Sequence, residues 1–308
     1  MSDFVDHLLG RCGFQTIEKG DRRRFLRYGQ DADSFDLSFT NFYSWNERFR
    51  YVCREIGDAI AVAYTGLDGE SACILLPGPS CDLRDAICRM SELFMDCGLP
   101  ALFEYVPESW LPYYRGSGFA AEVSWDRDWS DYLYDTKEFI ALEGGANKFK
   151  RRELNAFQTQ GSVGFVPLTS DNFSVALQVF DSWCAGHDCS QCVFGCERRA
   201  FARLADIWEG QFYGGIALLG GEPVAFAAAE TLGGCACYSF QKNARRVSGL
   251  TYYLHYHCAL LPGHPKRMNW CEDMGLEGLR RNKMKYKPCA LPKKYSVRLL
   301  YAADTEGR

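Results

Sequence analysis

The sequence predicts an α+β protein of two successive domains, each a mixed, mainly antiparallel sheet flanked by helices. Three observations lead there. Strand-like and helix-like hydrophobic patterns alternate along both halves of the chain. Glycine pairs at Gly220-Gly221 and Gly233-Gly234 separate apolar runs, as tight antiparallel hairpins require. A chain of 308 residues also exceeds what one ordinary core accommodates. The division is expected within 130–145 and is drawn as 1–135 and 136–308.

In the first half, "DAIAVAYTG" and "ESACILLPG" read as strands, Asp82 to Cys97 as an amphipathic helix, and "PALFEYV" as a further strand. "ESWLPYYRGSGF" reads as a short helix ending at Gly116 or Gly118. A polar aromatic run, "SWDRDWSDYLYD", and a basic run, "NKFKRRELNAF", follow. In the second half, Asp171 to Cys184 and Glu197 to Trp208 read as helices. The segment from Phe212 to Asn243 reads as three antiparallel strands around the glycine pairs. "GLTYYLHYHCALL" is helical and "RMNWCED" strand-like. A helix capped by Asp273 is expected to bury Leu276 and Leu279 and to expose Arg280 and Arg281. If the chain then extends before Pro288, Lys283, Lys285 and Lys287 share one face. "KKYSVRLLY" reads as a final strand.

Hydrophobic content of 47% and charged content of 24% are those of a soluble globular protein. There is no apolar run of transmembrane length. The N-terminal "MSDFVDHLLGRCGF" lacks the basic region and cleavage site of a signal peptide. The 15 cysteines are odd in number and unaccompanied by an export signal, which favours reduced thiols over a disulfide framework. A cytoplasmic location is expected.

Arg280, Arg281, Lys283, Lys285, Lys287, Lys293, Lys294 and Arg298 follow one another without an intervening acidic residue, in a chain of net charge −4. Charge alone favours a solvated face there. Lys148, Lys150, Arg151 and Arg152 suit either a surface helix or a phosphate contact through guanidinium forks. Arg245, Arg246, Ser248 and Gly249 lie between a strand and a helix, where backbone amides can cradle phosphate. The spacing Arg246, Gly249, Thr251 partly fits the pyrophosphate loop of acetyltransferase-like folds, and equally fits an ordinary turn. Cys184, His187, Cys189, Cys192 and Cys196 contain a single CxxC, short of a four-ligand metal set, so free thiols are preferred and no metal is expected. His255 and His257, two apart on a helix, diverge and cannot chelate together. Glu230, near a strand end, suits either a general base or a satisfied carboxylate. No GxSxG, HExxH or Walker loop is present.

Taken together, "FTNFYSW", "DYLYD", "KFKRRELNAF", "GGEPVAFAAAE" and the C-terminal basic run resemble a bacterial family related to the C-terminal domain of phosphatidylglycerol lysyltransferases. The most specific element is a motif of Leu, two Lys, an aromatic and Pro, then a basic residue and Tyr. Leu279, Lys283, Lys285, Tyr286, Pro288, Lys294 and Tyr295 occupy those places, with Asn282 where the family carries Phe. The resemblance implies two tandem GNAT-like (acyl-CoA N-acyltransferase-like) domains. It implies transfer of an amino acid from aminoacyl-tRNA to a lipid head group, or, in related tandem folds, to peptidoglycan precursors.

Carried over by motif position, Lys283 and Lys285 lie at the transfer site, with Glu230 as a candidate base. Lys242, Arg246, Gly249, Arg280, Arg151, Arg152 and Lys294 are candidates for binding donor phosphate. Gln241 stands where close relatives carry an acidic residue, and no counterpart of the membrane-embedded half of the full lysyltransferases is found. The donor is thus aminoacyl-tRNA or acyl-CoA used as co-substrate, without a further cofactor, and the acceptor a phospholipid or other small amine or hydroxyl compound. Rival readings are an acetyl-CoA-dependent N-acetyltransferase, a non-catalytic RNA- or anion-binding protein, and a metal-binding regulator built on Cys189 and Cys192.

Overall fold

The computed structural model describes residues 4–29, 34–188, 192 and 194–301. They form two compact units. The first comprises the chain up to Asp131, Glu272–Leu276 and the chain from Pro292; the second comprises Tyr132–Cys271 and Glu277–Leu291.

The first unit contains α1 (Phe4–Arg11), β1 (Gln15–Thr16), α2 (Arg22–Phe25), α3 (Phe39–Ser44), α4 (Asn46–Phe49), β2 (Val52–Ile56), β3 (Ala59–Thr65), β4 (Ser71–Pro77), α5 (Leu83–Asp96), β5 (Ala101–Pro107), α6 (Leu111–Arg115) and β6 (Ala120–Trp125). Strands β3 and β4 read as continuous apolar runs and are buried along almost their whole length, as strands covered on both faces are. Helix α5 is capped by the Asp82 carboxylate, which accepts from the Asp85 amide at 3.1 Å. It buries Leu83, Ile87, Met90 and Phe94 at helical spacing.

The second unit contains β7 (Leu133–Asp135), α7 (Thr136–Ile140), α8 (Lys148–Gln158), β8 (Val163–Pro167), α9 (Phe173–Ala185), α10 (Glu197–Arg203), β9 (Phe212–Leu219), β10 (Glu222–Leu232), β11 (Cys235–Asn243), α11 (Leu250–Ala259), β12 (Arg267–Asn269) and α12 (Glu277–Met284). Its sheet has the order β7-β12-β11-β10-β9-β8. Gly220 and Gly221 both have positive φ, as do Gly233 and Gly234, and each pair closes a two-residue hairpin. Any side chain would strain the backbone there. The parallel contact of β11 with β12 covers only Cys235–Cys237 against Arg267–Asn269. From Tyr238 to Asn243, β11 continues along β10 alone, so the two parallel strands part and leave a wedge between them.

The final strand β13 (Lys294–Leu300) does not join the second sheet. It runs antiparallel between β5 and β6, giving the first sheet the order β1-β2-β3-β4-β5-β13-β6. A division at residue 135 would place this strand with the second unit and β7 with the first; hydrogen bonding places them the other way round. Pairing across such sequence distance leaves no local periodic signal.

Several expected elements differ. The strand in "RMNWCED" stops at Asn269, and both Cys271 and Met274 have positive φ. Helix α12 begins at Glu277. Asp273 is instead fully buried in the preceding turn, accepting from the Gly275 amide at 3.0 Å and pairing with Arg127 at 3.3 Å. Leu276, expected in the core, is 50% exposed. The chain stays helical past Asn282 and closes with turn hydrogen bonds from Lys285, Tyr286 and Lys287. Lys283 therefore points inward while Lys285 and Lys287 are exposed, and the three do not share a face. Cys12 and Cys97 are paired as a disulfide where reduced thiols were expected. Cys189 lies outside the described residues. Among the described residues, no helix is long and apolar enough to cross a membrane.

Candidate transfer site

The wedge between β11 and β12 is filled by side chains from α11, α12 and the strand ends. Lys283, 7% exposed, donates to the carbonyls of Trp270 and, at 3.1 Å, Cys271, and its ammonium lies 5.4 Å from the Tyr132 ring centre. Those carbonyls directly follow β12, where the parallel ladder with β11 has ended, so Lys283 supplies donors to a strand end that the sheet no longer serves. Tyr286, next on the motif, is buried and stacks on Tyr252 with ring centres 5.7 Å apart.

His255 is the residue that sequence reasoning missed. It is 1% exposed, its Nε2 lies 2.7 Å from Gln241 Oε1, and its ring centre is 4.1 Å from that of Trp270. Burial, reinforced by His264 and Lys283, pushes its pKa down to about 3, so the imidazole is neutral at pH 7. With the Nε2 proton directed at the Gln241 carbonyl oxygen, Nδ1 is the lone-pair nitrogen. Among the described residues Nδ1 meets no hydrogen-bond partner. The available signal was His255 on a helix beside Gln241, in place of a carboxylate. Testing it only as half of a chelating pair with His257 overlooked that.

The remaining candidates divide by location. Arg151, Arg152, Lys285 and Gly249 gather around α8. Arg151 donates to the carbonyls of Leu142 and, at 2.8 Å, Gly144, and so ties down the turn that precedes the helix. Lys285 pairs with Glu153 at 3.3 Å, and the cationic heads of Arg152 and Lys285 each lie 5.6 Å from the Phe149 ring centre. Lys150 has its pKa lowered by burial; Glu138 opposes the shift and Lys287 adds to it. The exposed rim thus carries Lys148, Arg152, Lys285 and Lys287.

Gly249 has φ +77°, and a Cβ placed there would meet the Glu153 carbonyl oxygen at 1.9 Å. The start of α11 is therefore pressed against the backbone of α8. Arg246 is exposed and Arg280 partly buried.

Lys242 and Glu230 lie elsewhere in the second unit. Successive strand residues face opposite sides, so Gln241 meets α11 while Lys242 meets α9 and α10. Its ammonium lies 2.6 and 2.7 Å from the two Glu197 carboxylate oxygens, and 4.7 Å from the Trp183 ring centre. Glu230, 3% exposed, accepts from Gln211 at 2.9 Å.

Lys294 belongs to the first unit. Its ammonium lies 2.5 Å from Asp36, 2.9 Å from Asp131 and 3.3 Å from Glu272. The three carboxylates could by themselves hold a cation, and Lys294 supplies it. The carboxylates raise its pKa well above the ordinary lysine value, outweighing the opposing effect of burial. An ammonium so enclosed is engaged within its own unit, in contrast to the expected phosphate contact.

Two mixed sheets flanked by helices, the second with parting parallel strands, define a tandem GNAT-like fold. Residues 29–298 match the family model described as "Phosphatidylglycerol lysyltransferase, C-terminal", and the chain belongs to that family. Among solved structures, it is similar to a conserved protein of unknown function from Bacteroides thetaiotaomicron, with 24% identity and a TM-score of 0.84 over 93% of this chain and 99% of that one. The L-PGS structure from Bacillus licheniformis has 15% identity and a TM-score of 0.66, over 92% of each chain. The FemX structure has 9% identity and a TM-score of 0.61, over 93% of this chain and 97% of that one. At such identities the likeness carries the fold. No curated protein matches the chain.

Proposed function

We propose that the protein is an aminoacyltransferase that takes an amino acid from aminoacyl-tRNA and passes it to a lipid head group or another amine or hydroxyl acceptor. Family membership supplies the class. The observation that carries the choice of donor is the contact at Gly249. The turn whose amides would cradle the pyrophosphate of acyl-CoA is pressed against the α8 backbone, with no space even for a methyl group. Beside it, the rim of Lys148, Arg152, Lys285 and Lys287 suits an extended polyanion such as the phosphate backbone of tRNA.

In this reading the acceptor nucleophile attacks the aminoacyl ester carbonyl directly. The new bond forms to the carbonyl carbon, the ester C–O bond to the tRNA ribose breaks, and the ribose hydroxyl leaves. His255 Nδ1 takes the proton that the nucleophile loses and returns it to the departing ribose oxygen. Lys283 stands where a buried ammonium can stabilise the transient oxyanion. Lys285 and Arg152 position the donor, and contact with a membrane surface is peripheral.

The test is incubation of the protein with a set of charged tRNAs and phospholipid vesicles, followed by mass spectrometry of the lipids and measurement of remaining aminoacyl ester. Loss of ester from at least one tRNA with gain of its amino acid by a lipid is the expected result. If no charged tRNA loses its ester above the rate without protein, the reading fails. Salt-sensitive tRNA binding without transfer would assign the rim to RNA binding alone.

A further inference from the structure

We propose that His7, Cys12 and Cys97 form a zinc site in the first unit when the two cysteines are reduced. His7 lies on α1, Cys12 directly follows that helix, and Cys97 caps the C-terminal end of α5. One donor atom from each residue lies within 4.8 Å of the others. Tetrahedral zinc, with bonds of about 2.3 Å to thiolate sulfur and 2.0–2.1 Å to imidazole nitrogen, places such donors roughly 3.5–3.8 Å apart. The set needs only small side-chain adjustments to reach that geometry.

The backbone gives an independent indication. The Cα atoms of Cys12 and Cys97 are 7.4 Å apart. Disulfides usually span about 4.4–6.8 Å. The wider span suits two thiolates that share a metal between them. Both cysteines sit at a helix end and are followed by a glycine of positive φ, Gly13 and Gly98, each at +66°. The two strands of donor-bearing chain thus leave the cluster by the same kind of turn.

The backbone at one of the ligands is also held in place. Cys12 is 2% exposed, and the Arg54 guanidinium donates to its carbonyl oxygen, which fixes the chain at that ligand. A soft N/S/S donor set of this kind selects zinc over calcium or magnesium. Three protein ligands leave the fourth position to water. Zinc and the disulfide use the same two sulfurs and exclude one another. The site is separate from the second unit's wedge and does not depend on the proposed transfer reaction.

The experiment is zinc binding by the full chain under reducing, oxygen-free conditions, measured by metal analysis after dialysis. It is run in a Cys189→Ser/Cys192→Ser background, so that the CxxC segment cannot contribute. One zinc per chain is expected, and cobalt substitution should show a thiolate-to-metal charge-transfer band. Removing an outer-sphere partner of a metal ligand costs about 10–100-fold in affinity. Loss of a ligand itself is therefore expected to cost at least roughly 100-fold in Cys97→Ser, with a smaller loss in His7→Ala. Circular dichroism of the metal-free variants controls for folding. Absence of stoichiometric zinc in the reduced protein would overturn the proposal. So would unchanged affinity and cobalt spectrum in the His7→Ala/Cys97→Ser variant.

Discussion

Lys294 and Lys283 come from one basic run of the chain, and both are buried, yet different kinds of group meet them. In the first unit Lys294 is met by three carboxylates within 3.3 Å. In the second, Lys283 is met by the backbone carbonyls of Trp270 and Cys271 and by the Tyr132 ring. Carboxylates pin an ammonium as a fixed charge of the fold. Backbone carbonyls and an aromatic face hold the second ammonium at a strand end. Proximity in sequence within a basic motif therefore says nothing about role; the counter-groups decide it.

The largest effect expected from this contrast is in Lys294→Ala. It leaves three carboxylates at a buried site without their ammonium, and removing one partner of a buried ion pair costs about 3–5 kcal/mol. Urea unfolding should show that loss; a loss below about 1 kcal/mol would mean that the cluster is solvated and the contrast with Lys283 illusory.

Lys283→Met comes next. It keeps the volume but leaves two carbonyls without their donor, with an expected cost of about 1–3 kcal/mol. If the proposed reaction holds, transfer is lost in this variant while the far-ultraviolet circular dichroism is retained. Full transfer activity would move the oxyanion role elsewhere.

The smallest effect is a difference in the sign of the pH response, at most about 1.4 kcal/mol per pH unit for each group. Burial pushes the Asp36 pKa up to about 6 despite Lys294, with Glu272 and Asp131 adding to the shift, from an ordinary value of 3.8. Its stabilising contribution is thus full below 3.8 and is lost as pH rises through about 6. His255 is the reverse. With its pKa lowered from 6.5 to about 3, it contributes fully above 6.5 and loses that contribution as pH falls toward about 3. Amide hydrogen exchange, corrected for intrinsic rates, should show β3 and β4 losing protection between pH 4 and 6 while β10 and β11 gain it. Parallel trends in both sheets would remove the distinction.

The elements whose cause is local were legible in the sequence. The hairpins at Gly220-Gly221 and Gly233-Gly234, the helix read over Asp82 to Cys97 and the apolar runs of β3 and β4 form where their residues predict. The failures involve distant partners. Nothing near Lys294 in the chain announces Asp36, and nothing near Cys12 announces Cys97. The direction of Lys283 depended on where a helix stops. Extension before Pro288 would put the three lysines on one face, but helical hydrogen bonding persists to Lys287, which absorbs the reversal with φ +56°. His255 escaped notice because its importance rests on burial beside Gln241 and Trp270, which periodicity does not report.

The placement of β13 has a consequence for the order of events on the ribosome. Once residue 131 has emerged, β5 and β6 exist as sequence, but the strand that separates them is still some 160 residues from being made. At elongation rates of about 5–20 residues per second, that interval lasts roughly 8–30 seconds. Throughout it β5 presents an open edge of the kind that invites wrong partners. The nascent first unit is thus held unfinished while the second is synthesised in full, and a chain cut before Pro292 could complete neither the β5–β13 nor the β13–β6 ladder.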